Sequence, residues 1–153
     1  MKLENVKRDE WLLAGIALLL IIDLLALPWF DIGFGPVSVT STATGAPDGW
    51  LGVLAVIGAI ALIADLAVER LSPQTHIPAL AGSRTTTRLG LAAVTALFVA
   101  LKFLFHIHFS LFGFGFWAAV VLTAGLVVLA MRAHQDRPVI ASQPAGPTAT
   151  TTN

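Results

Sequence analysis

The chain has 153 residues, of which 56% are hydrophobic and 12% charged, and its mean hydropathy is +0.83, far above that of a soluble domain. Nine Lys and Arg balance nine Asp and Glu, which excludes both an overall basic field for nucleic acid and an acidic surplus for basic partners. A crossing of the hydrocarbon uses about 20 residues, so this length holds one bundle of spans and no separate catalytic domain. The absence of cysteine excludes disulfides, thiolate nucleophiles and Cys-based metal sites.

Four apolar stretches are each long enough to cross a bilayer, about 11–30, 50–68, 89–108 and 116–131. Backbone polar groups in lipid must be satisfied within their own segment, so each is read as a helix despite its Val and Ile content. The expected fold is an all-α, four-helix transmembrane bundle. The first stretch opens after the polar start Met1 to Glu10 and closes at Leu27-Pro28-Trp29-Phe30, a proline and aromatic pair that marks an interface. Its basic start suits a signal peptide, but the apolar run exceeds a signal core and no small-residue cleavage site follows it directly, so an uncleaved anchor is expected.

In the 31–49 loop, Ile32, Phe34, Val37 and Val39 alternate with small or polar residues around Gly35-Pro36. The pattern predicts a short β-hairpin over the bundle, with an irregular loop as the other reading. Pro47-Asp48-Gly49 reads as a helix-entry turn. The second stretch stops at Glu69-Arg70. Residues 70–88, with Pro73, Pro78, Gly82 and three consecutive threonines, are too polar and broken for a packed element. The third stretch follows Arg84 and Arg88, and the fourth stops at Arg132. Residues 133–153 form a cytoplasmic tail, and from about Gln135 a Pro-, Ala- and Thr-rich composition predicts disorder.

Eight of the nine basic residues, Lys2, Lys7, Arg8, Arg70, Arg84, Arg88, Arg132 and Arg137, flank the spans on one side. The positive-inside rule therefore puts both termini and the middle loop in the cytoplasm. The ninth, Lys102, lies inside a span.

Ionisable residues within spans are the candidate site, because a charge in hydrocarbon costs about 2.5–3.5 kcal/mol on insertion scales and must face the bundle interior or water. At 1.5 Å per residue, Asp23 lies about 18 Å into its span and Lys102 about 20 Å into another of the same direction, so an Asp23–Lys102 pair is allowed. Asp65 sits only a turn or so above Glu69, within reach of Thr95 or of a snorkelling Arg70 or Arg88. Thr95, Lys102 and His106 share one face of the third helix within about 40°. Read functionally, Asp23, Lys102 and His106 form a proton or ion path. Read structurally, they are a buried pair and an interfacial histidine that fix helix register.

His106 and His108 point about 200° apart on a helix and cannot share a metal, so no metal or other cofactor is expected. Ser110 near His108 lacks an orienting third group, and Gly113-Phe114-Gly115 lacks the rest of a dinucleotide fingerprint and reads as a tight external turn. An enzyme is not expected. Ala92, Ala96 and Ala100, and likewise Ala55 and Ala59, recur every four residues, a spacing that permits close helix approach within the bundle or between copies.

Pro28-Trp29-Phe30 closing the first stretch, Gly49-Trp50 opening the second, Lys102 within the third and Phe116-Trp117 opening the fourth together resemble the small uncharacterised four-span membrane proteins of high-GC bacteria. The likeness covers roughly residues 11–132. It implies a bacterial inner-membrane location and four-span topology, and transfers no functional residue. Small multidrug transporters are also four-span with an acidic residue in the first span, an analogy resting on Asp23 alone. The expectation is a non-enzymatic membrane component, an accessory or interaction subunit with the bilayer and a membrane protein or its own copies as partners. The alternative is a small proton- or cation-coupled transporter.

Overall fold

Among the described residues, four helices and one hairpin follow in chain order: α1 (Lys2–Ala26), β1 (Phe30–Phe34), β2 (Val37–Ser41), α2 (Gly49–Leu71), α3 (Arg84–Phe105) and α4 (Phe114–Gln135). The computed structural model describes residues 2–34, 37–46, 48–71, 83–105 and 112–135. Each helix packs on two neighbours in the cycle α1, α2, α3, α4 and back to α1. Neighbours α2 and α3 run antiparallel, the start of α3 meeting the end of α2 at Arg88 and Asp65 and the end of α3 meeting the start of α2 at Lys102 and Asp48, so the bundle has an end bearing the hairpin and an opposite, charged end.

Three of these helices, α2, α3 and α4, are long and apolar enough to cross a membrane. By the same measure α1 is not, so the expected crossing over 11–30 is found as a helix but not as one long and apolar enough to span. Helix α1 begins at Lys2 and ends at Ala26, so its apolar part from Trp11 runs about 16 residues, or about 24 Å, and carries Asp23. The last helical bond is from the Leu27 N–H to the Asp23 carbonyl (3.1 Å). Pro28 has no N–H to continue the ladder and disfavours helical backbone at Leu27. The chain turns there and enters β1.

The hairpin forms as the alternation predicts, with Ile32 opposite Val39 and Phe34 opposite Val37. An isolated two-stranded hairpin is marginal, and here the neighbouring chain supports it. Trp29 N–H donates to the Ser41 carbonyl (2.8 Å), and the N–H groups of Gly113 and Gly115 donate to the Trp29 and Pro28 carbonyls (2.9 and 3.0 Å). Phe112 forms a bridge with Phe30. A Cβ at Gly113 would collide with the Pro28 carbonyl, so the expected turn at 113–115 is also a tie that needs a bare backbone.

At the charged end, α3 starts earlier than the composition of 70–88 suggested. Ser83 caps it: its Oγ accepts from the Thr86 N–H (3.3 Å) and its carbonyl accepts the Thr87 N–H (2.9 Å). A serine cap satisfies end donors that threonines alone would leave bare, so Thr85, Thr86, Thr87 and Arg88 are helical. Helix α4 runs past Met131 to Gln135. The expected disordered tail covers 133–153; residues 133–135 are helical instead, and residues 136–153, with 72–82 of the middle loop, lie outside the described residues.

The core runs the length of the bundle through Leu13, Ala17, Leu20 and Leu24 of α1, Ala55, Ala59 and Leu62 of α2, Ala92 and Val99 of α3, and Ala119 and Leu126 of α4. The alanine repeat on α2 is buried, as a close-packing seam requires. On α3 the repeat divides: Ala92 is buried, whereas Ala96 and Ala100 line an outward apolar groove of about 590 Å³ between α3 and α4. Large apolar residues such as Leu18, Ile22, Ile57, Ile60, Leu97, Val121 and Val128 face outward. Such a continuous apolar exterior suits lipid and not water.

Candidate functional site

Polar side chains gather at both ends of the bundle. At the charged end, Arg88 of α3 is 4% exposed. Its Nε donates to Asp65 Oδ2 (2.9 Å) and its Nη1 to Glu10 Oε1 (3.1 Å), and its Nη2 pairs with Glu69. One guanidinium thus ties α1 and α2 to α3. Arg70 Nη2 donates to the other Glu10 oxygen (3.1 Å) and its guanidinium stands 5.0 Å over the Trp11 ring. The planar fork of arginine suits this arrangement, since it presents donors in three directions at once.

Asp65 is therefore held by Arg88, one of the two arginines the sequence allowed, and not by Thr95. Thr95 is fully buried, but its Oγ1 donates to the Leu91 carbonyl of its own helix (2.9 Å). Its outer face packs against Gly58, where a Cβ would collide with the hydroxyl. Gly58→Ala is expected to destabilise by about 1–3 kcal/mol through overpacking. With Thr95→Ala also present, the same change should become neutral or stabilising, because alanine is the better helix former by about 0.8–1 kcal/mol. Chemical or thermal unfolding of the two variants in detergent, compared with the parent and Thr95→Ala, checks the change of sign.

At the hairpin end, Asp23 and Lys102 are each 1% exposed, and the structure does not join them. Asp23 Oδ2 accepts from Trp29 Nε1 (3.2 Å), Oδ1 has no hydrogen-bond partner, and no ion pair to Asp23 is present among the described residues. Lys102 Nζ donates to the Asp48 carbonyl (3.2 Å) and lies 5.6 Å from the centre of the Phe30 ring. That carbonyl also accepts the Leu51 N–H at the start of α2 (3.1 Å). Asp48 adopts φ 50°, a left-handed conformation that Asp tolerates better than most residues, which fits the predicted helix-entry turn. Both buried groups are thus anchored to the segments flanking the hairpin, Asp23 through Trp29 and Lys102 through Asp48.

An aromatic cluster closes this end. Trp29 meets Phe116 edge-on (5.7 Å), Phe112 stacks on Phe116 (4.1 Å), and Phe103 stacks on Phe116 (5.3 Å). Such pairs add to simple burial. Sequence reasoning placed Trp29 and Phe30 at an interface and Phe116 at the opening of the fourth stretch, and missed the cluster. The available signal was aromatic residues at the matching ends of α3 and α4 and beside the end of α1. His106, His108 and Ser110 lie outside the described residues, so the histidine end of the expected polar stripe is not placed. Among the described residues no group of three or more metal-ligating side chains occurs.

The two ends do different work from the continuous path that one shared polar face would suggest. The charged end is a salt-bridged junction of three helices, and the hairpin end is a hydrogen-bonded and aromatic cap. Comparison of the chain with family models, with curated proteins and with solved structures finds no match in any of the three.

Proposed function

We propose that the chain is a four-span integral protein of a bacterial inner membrane, both termini cytoplasmic, that acts as a non-enzymatic accessory or interaction subunit. The observation that carries this reading is the engagement of Arg88 by carboxylates from two other helices. A buried arginine spent on three internal partners holds helices together. Helix α1 serves as the fourth span in this reading, despite its short apolar run, because it packs between α2 and α4 and turns Leu18, Leu19, Ile22 and Leu25 outward. Arg8, Arg70, Arg84, Arg88 and Arg132 fall at the end away from the hairpin, the distribution expected of a cytoplasmic face.

Purification of the tagged protein from its native membrane in mild detergent, followed by native mass determination, tests the reading. A stoichiometric second protein is the expected result. A homogeneous chain with no partner would overturn it and favour the transporter. That second reading rests on the unpaired Oδ1 of buried Asp23, a group able to take up a proton, and its test is pH-gradient flux in proteoliposomes, wild type against Asp23→Asn.

A further inference from the structure

At the charged end, a second groove of about 360 Å³ opens between α1 and α2, within the range of small-ligand sites, about 300–1,000 Å³. Its walls are apolar, with Ala14, Ile63 and Ala67 among them, and its mouth carries Glu10, Trp11 and Arg70. The two charged residues of its lining, Glu10 and Arg70, are ion-paired (3.1 Å), so the mouth is zwitterionic. Arg88 is sequestered, whereas the side chains of Arg70 and Glu10 are 37% and 20% exposed. The rim therefore presents a guanidinium and a carboxylate side by side above an apolar slot. Trp11, 67% exposed, has the amphipathic character of a residue at headgroup level.

We propose that this groove binds a zwitterionic phospholipid with a primary amine, phosphatidylethanolamine, its phosphate on Arg70, its ammonium on the carboxylate of Glu10, and an acyl chain between α1 and α2. The proposal rests on the membrane-embedded reading above. Charge complementarity selects the headgroup. Arginine recognises phosphate through its donor fork. The Glu10 carboxylate attracts an ammonium, which phosphatidylglycerol lacks. A quaternary choline has no N–H to donate to a carboxylate, so phosphatidylcholine should bind more weakly than phosphatidylethanolamine.

The full chain, purified in mild detergent, is equilibrated with equimolar phosphatidylethanolamine, phosphatidylcholine and phosphatidylglycerol of identical acyl chains, and bound lipid is identified by native mass spectrometry. The expected result is one retained phosphatidylethanolamine, enriched about tenfold over phosphatidylglycerol, equivalent to about 1.4 kcal/mol. Arg70→Ala removes the phosphate contact and Ala67→Phe fills the slot without touching a charge; each should abolish the enrichment, while Trp117→Ala on α4 retains it. Both groove variants are checked for helicity and monodispersity. Equal binding of the three lipids, a preference for phosphatidylglycerol, or an enrichment unchanged in folded Arg70→Ala and Ala67→Phe would overturn the site. Alkaline carbonate washing of membranes separates the two failures. Release of the chain into the supernatant overturns the membrane reading itself, whereas retention in the pellet without lipid preference overturns the groove alone.

Discussion

Replacing Arg88 by methionine is expected to cost about 3–5 kcal/mol of stability, the usual penalty for removing one partner of a buried ion pair. The guanidinium is nearly inaccessible and holds Glu10, Asp65 and Glu69 from two other helices. Without it, three carboxylates converge with only Arg70 to offset them, and α1 loses its charged tie to α3. Arg70→Ala, which removes an exposed pair, should cost no more than about 1 kcal/mol. Unfolding in mixed detergent micelles, followed by circular dichroism, measures both. Adding Asp65→Asn to Arg88→Met should recover part of the loss, since it removes one of the stranded charges. An Arg88→Met protein as stable as wild type would show that the junction contributes nothing to the fold.

The second large effect lies at the opposite end. Trp29→Ala is expected to cost about 3–5 kcal/mol, the range for emptying a large aromatic site. Trp29 is 1% exposed, meets Phe116 edge-on and donates to Asp23. Trp29→Phe keeps most of the ring but withdraws the hydrogen bond to the Asp23 carboxyl, so it should still cost about 1–3 kcal/mol, the penalty of an unsatisfied buried polar group. Asp23→Leu in the same chain should restore most of that loss. Trp117, 53% exposed, serves as the control, and its alanine variant should unfold close to wild type. The same logic applies to Asp23 and Lys102. Because each has its own local partner, Asp23→Asn and Lys102→Met should add without rescue, whereas a direct pair would show strong compensation.

Helices α2, α3 and α4 were legible from unbroken apolar runs bounded by charge, and the hairpin from a two-residue alternation around Gly35-Pro36. The end of α1 was less so, because Leu27 to Phe30 is as apolar as the helix before it and only Pro28 marks the turn. Hydropathy measures whether a residue tolerates lipid, not whether its backbone continues a helix. Depth counting placed Asp23 and Lys102 at one level, and both do lie beneath the hairpin. It could not give their partners, since Trp29 is six residues from Asp23 and the Asp48 carbonyl is 54 residues from Lys102. Backbone acceptors leave no trace in composition. Arg88 was visible as a snorkelling partner for Asp65, but Glu10, 78 residues away, was counted as part of a solvated start. Its place beside Glu69 follows from helix ends brought level by the bundle, a tertiary fact.

Whether α1 crosses the membrane is directly measurable, because the chain lacks cysteine. Single cysteines introduced as Arg8→Cys, Ser38→Cys and His134→Cys are labelled with a membrane-impermeant maleimide in intact cells and again after permeabilisation. Ser38, on the hairpin, should react in intact cells, while positions 8 and 134, at the other end of α1 and α4, should react only once the membrane is opened. Reaction of positions 8 and 38 from the same side would show that α1 does not cross, and would contradict the four-span bundle.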